Sequence, residues 1–166
     1  MTRSFDDPSA YMRRWGRLSE FELQRRAQHD PLLFAADHCP VAERQAGCLV
    51  IVAIRTDGQP LMVVIQDAPE EPTDDDCLGV LAGCLPRLGA AVNDAGDLYG
   101  WAGAPVARLG VVTHRRGRPH ITAEDRRWVD ALEAVCRWSG VGPLGVVTRT
   151  EAGAIVRPPL SMGAAS

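Results

Sequence analysis

The stretch from Cys48 to Ala68, CLVIVAIRTDGQPLMVVIQDA, limits the fold more than any other part of the chain. Two runs rich in Val and Ile stand on either side of Asp57-Gly58. β-Branched residues suit the pleated surface of a strand, and an Asp-Gly pair supplies the positive φ of a tight hairpin turn. The pattern predicts a β-hairpin. Both runs are almost wholly apolar, which predicts strands buried on both faces. Such a hairpin needs a covering layer on each side, and the rest of the chain has to supply it.

The supply is visible as helical spacing. Residues 1–46 place Tyr11, Trp15 and Leu18, then Leu23 and Ala27, at helical intervals. Ser19 and Glu22 have the spacing of a capping box, and Pro31 and Pro40 interrupt the pattern. Two or three short helices are expected, packed on the domain or docking a partner. After the hairpin, APEEPTDDD (68–76) reads as an acidic loop, with Thr73 or an aspartate capping a helix over 76–92. Pro86 is expected to kink or end that helix. The Gly-rich run 93–105 reads as a loop long enough for a lid or binding loop. Its Tyr99 and Trp101 are candidate partner-binding aromatics.

Residues 106–114 read as a strand. Thr122 then caps a helix with an apolar stripe of Trp128, Val129, Leu132, Val135 and Cys136, ended by Ser139-Gly140. Residues 143–158 read as a second hairpin turning at Glu151–Gly153, and 159–166 as a frayed tail. The order predicts an α/β (α+β) fold: a mixed β-sheet with flanking helices, residues 1–46 forming a helical extension and 47–158 the domain. The edge of the terminal hairpin is a candidate surface for a homodimer.

The totals narrow the partners. A chain of 166 residues is long enough for one compact domain. All 18 cationic side chains are Arg, against 21 Asp and Glu, for a net charge of −3. That balance argues against general nucleic-acid binding, which rests on neutralising phosphates. Local basic clusters remain at Arg13, Arg14 and Arg17 and at Arg115, Arg116 and Arg118; the latter three are candidate partner contacts. The lack of Lys beside many Ala, Gly and Arg fits a GC-rich bacterial gene. Five cysteines, an odd number without a C-x-x-C pair, read as buried thiols of a reducing cytoplasm. No apolar signal core and no long apolar run is present, so a soluble cytoplasmic protein without membrane contact is expected.

The stretch VTHRRGRPHITAED (112–125) places Val112-Thr113-His114, then seven residues, Thr122, then two residues, Asp125. It resembles the signature of the JAMM metalloproteases, also called JAB or MPN domains: His-[Ser/Thr]-His, seven residues, Ser, two residues, Asp. Gly117 and Pro119 fall in register with the loop of the RadC-like branch. The likeness covers the element order of residues 47–158, while residues 1–46 look unlike the helix-hairpin-helix segment that precedes a RadC domain. The resemblance implies a JAB/MPN-like (cytidine deaminase-like) sandwich. It also implies a chemistry, in which two His and one Asp hold Zn²⁺ and leave a position for water. A Glu acts as general base, and the Ser stabilises the developing oxyanion.

The chain departs from that signature at its first position. Val112 has no lone pair to donate, so His114 and Asp125 are left as an incomplete metal pair. Thr122 replaces the Ser, and Glu70, with Glu71, is the nearest candidate for the Glu. His120 becomes a third ligand only if the loop folds back. Two ligands are fewer than a catalytic zinc takes, so the resemblance implies the scaffold without the activity: a pseudoenzyme with no cofactor, or with Zn if the site proves functional. Thr122 and Asp125 also make sense as a helix start alone, and His114 as a backbone hydrogen-bonder.

The run 109–135 is also similar to the end of a GAF sensor domain, although such a domain finishes with its long helix and here a hairpin follows. Three functions are therefore expected in turn: a non-catalytic JAB/RadC-like protein-interaction or scaffold module; a zinc metalloprotease or isopeptidase with altered ligands; and a GAF-type small-molecule sensor with an enclosed apolar pocket.

Overall fold

The computed structural model describes residues 16–39, 45–58, 60–99 and 106–161. Tyr11, Arg13, Arg14, Trp15, Pro40 and Trp101 lie outside the described residues. The elements run α1 (Glu20–His29), α2 (Pro31–His38), β1 (Leu49–Arg55), β2 (Pro60–Ile65), α3 (Asp74–Tyr99), β3 (Val106–Arg115), α4 (Ala123–Ser139), β4 (Gly142–Thr150) and β5 (Ile155–Val156). The described chain is thus mixed α/β, with four helices and one five-stranded mixed sheet of order β2-β1-β3-β4-β5.

The predicted hairpin forms: β1 pairs antiparallel with β2, from Leu49 opposite Ile65 to Ile54 opposite Pro60. Gly58 has φ 83°, as the turn requires. β3 lies antiparallel to β1 on its other side. β4 runs parallel to β3, and α4 is the crossover between them. β5 adds two residues to β4, so the terminal hairpin is much shorter than its sequence suggests.

Side-chain alternation sorts the core into two layers. Leu49, Ile51, Leu109, Val111 and Val146 face α3 and α4, where they meet Leu81, Trp128 and Leu132. Val50, Val52, Val112 and Val147 face α2, where they meet Leu32, Ala35 and Ala36. The approach of α2 is close: a Cβ at Gly110 would stand 2.6 Å from Leu32 Cδ2. By contrast, α1 buries no residue, although Ser19 and Glu22 do form the expected capping box.

Four sequence expectations are corrected here. β1 is buried on both faces, but β2 stands at the edge of the sheet among the described residues and alternates exposed and half-buried residues. The third helix does not stop at Pro86; it starts at Asp74 and continues to Tyr99, so much of the expected 93–105 loop is helix. Pro86 is exposed, as is Ala82, whose carbonyl the proline leaves without an amide partner, so water can take over that bond. The tail is held as far as Ser161, whose amide donates to Glu133 Oε1, and Leu160 packs on the core. No helix among the described residues is long and apolar enough to cross a membrane.

Candidate functional site

The parallel strands β3 and β4 end side by side, beneath the N-terminus of α4. This is the end of an α/β sheet where ligand sites commonly form. Thr122 caps α4: its Oγ1 accepts from Asp125 N, and its own amide donates to Asp125 Oδ2 at 2.8 Å. The capping box leaves the Asp125 carboxylate aimed down at the strand ends, where it is fully buried.

Two strand residues meet it there. Arg115, the last residue of β3, donates Nε to Oδ1 at 3.2 Å and Nη2 to Oδ2 at 3.0 Å. Thr148 of β4 donates Oγ1 to Oδ1 at 2.6 Å. Since the Thr148 proton is used on Asp125, the 2.9 Å contact between Thr113 and Thr148 hydroxyls has Thr113 as donor. Burial pushes the Asp125 carboxyl up, but the hydrogen bonds from Arg115, Thr148 and Thr122, with the Arg115 charge, outweigh it and hold the group below its usual value. Glu124 goes the other way: burial, then the neighbouring Asp125 charge, raise it.

The rest of the Arg115 guanidinium organises the loop that follows. Nη1 donates to the carbonyls of Arg116 and Arg118 at 3.2 and 3.1 Å, and Nη2 to that of His120 at 2.6 Å. Residues 116–121 therefore form a compact knuckle around a buried cation. The side chains of Arg116, Arg118, His120 and Ile121 are turned out to solvent. Gly117, with φ 98°, makes the reversal possible.

His114 is on the other face of the sheet. It alternates with Thr113 and Arg115, shares the α2 side with Val112, and is buried. Its Nδ1 lies 3.2 Å from the Cys48 carbonyl, which can only accept, so that nitrogen carries the proton. Beside it in the ladder, Arg149 pairs with Asp37 of α2 at 2.8 Å, with both side chains buried.

The sequence candidates are thus divided. Thr122 and Asp125 are brought together. His114 is separated from them by the sheet, and His120 contributes its carbonyl to Arg115 while its side chain is exposed. Glu70 and Glu71 are exposed in the loop before α3. Tyr99 ends α3. Arg115, expected on the surface with Arg116 and Arg118, is 5% exposed and belongs to the interior. Sequence reasoning missed the Arg115–Asp125 pair, the two threonines and the Arg149–Asp37 pair. Alternation from Thr113 was the available signal, since it puts Arg115 and Thr113 on the face that α4 covers.

No group of three or more His, Cys, Asp or Glu among the described residues is placed to hold a metal ion. A cation at Asp125 would meet the Arg115 guanidinium at contact distance, so the donor set here does not fit zinc. No protein-family model matches the chain, and no curated protein or solved structure matches it significantly.

Proposed function

We propose that this chain is a non-catalytic domain of the JAB/RadC-like kind that works as a protein-interaction module, with the knuckle 116–121 as its contact element. The single observation that carries the reading is the fivefold hydrogen bonding of Arg115. In the resemblance, the aspartate at position 125 serves a metal. In this chain it serves a guanidinium, and the guanidinium in turn fixes an exposed loop. The pair converts a would-be ligand into a brace, and what it braces is a preorganised basic surface. Rigid loops lose little entropy on binding, which is what a recognition element gains from such a brace.

The element order supports the scaffold part of the reading. Hairpin, helix, strand, helix, strand and short return strand follow one another over residues 49–156, as the resemblance implies. A GAF-type ending is less well supported, because α4 is followed by a strand that enters the sheet beside β3. A metalloprotease with altered ligands would need His114 and Asp125 on one side of the sheet, whereas alternation separates them.

The test is metal stoichiometry. The purified chain is equilibrated with zinc, desalted and analysed for bound metal, and a peptide-hydrolysis assay is run with and without chelator. The expected result is no stoichiometric zinc and no chelator-sensitive cleavage, in the native chain and in Val112→His, which restores the missing imidazole of the signature. One zinc per chain with chelator-sensitive turnover would overturn the proposal.

A further inference from the structure

We draw no further inference here: the strongest candidate, the outer side of the knuckle between β3 and α4 with its exposed Arg116, Arg118 and Ile121, belongs to the site already described, and nothing in the structure shows what covers it.

Discussion

Arg115 and Asp125 meet as a two-pronged pair, Nε on Oδ1 and Nη2 on Oδ2, with both side chains buried between the sheet and α4. Bidentate guanidinium–carboxylate contacts fix geometry as well as charge. Removing one partner strands the other charge in the interior. Arg115→Met is therefore expected to cost about 3–5 kcal/mol in urea unfolding. Arg115→Met combined with Asp125→Leu should cost less than the sum of the single changes. Strict additivity would mean that the two charges are not coupled.

The acid limb of the stability profile should report the same carboxylate. Asp125 is held below its usual value in the folded chain, whereas an unfolded Asp titrates at about 3.9. The folded state therefore binds the proton less well, and the stabilisation is complete above the unfolded value. It is lost as pH falls through the folded one. Melting temperature against pH should fall on the acid side in the native chain and fall less steeply in Asp125→Asn.

Glu124 carries the opposite sign. Burial first, and then Asp125, raise its carboxyl above the unfolded value, so ionisation opposes folding. Its effect is absent at low pH and grows as pH rises through the folded value. Glu124→Gln should raise the melting temperature at neutral pH and leave it unchanged in acid. A loss at neutral pH would show that the charge is favourable where it stands.

The hydroxyl relay has an order. Thr148 donates to Asp125 and accepts from Thr113. Thr148→Val breaks both bonds and is expected to cost about 1–3 kcal/mol by thermal or chemical unfolding. Thr113→Val keeps the Thr148–Asp125 bond and should cost less. The reverse ranking would contradict the direction assigned here.

The cysteines should separate by accessibility. All five are reduced, and Cys39, Cys48, Cys77 and Cys136 are buried while Cys84 is partly exposed. Burial pushes the Cys77 thiol up to about 12 and the Cys136 thiol to about 11. The thiolate is the reactive form. With a thiol reagent at mildly alkaline pH, Cys84 is expected to react first in the native chain, and Cys77 and Cys136 only after denaturant is added. Rapid native labelling of Cys77 would mean that α3 opens from the core.

The parts legible in the sequence were those with local causes. Asp57-Gly58 fixed the hairpin, and Thr122 with Asp125 fixed the start of α4, because turn and cap chemistry act over a few residues. The errors came from neighbours distant in sequence. The apolar run 60–65 reads the same at the edge or centre of a sheet, and only the position of β2 beyond β1 decides it. Pro86 reads as a kink or an end of the helix, and the helix continues past it on a side that faces water. Arg115 sits among arginines and reads as surface charge; its partner, ten residues on, is brought back by the knuckle. His114 and Asp125 match a signature by spacing, yet strand alternation puts them on opposite faces.

The middle strand of the sheet, β3, is synthesised after both strands of the hairpin and after α3. On the ribosome, β1 therefore waits with the backbone edge that pairs with β3 open until residues 106–115 emerge. A nascent chain in that state is prone to aggregate. The yield of native protein should consequently depend on chaperone capacity and on translation speed through residues 66–105, quite apart from how stable the finished molecule is.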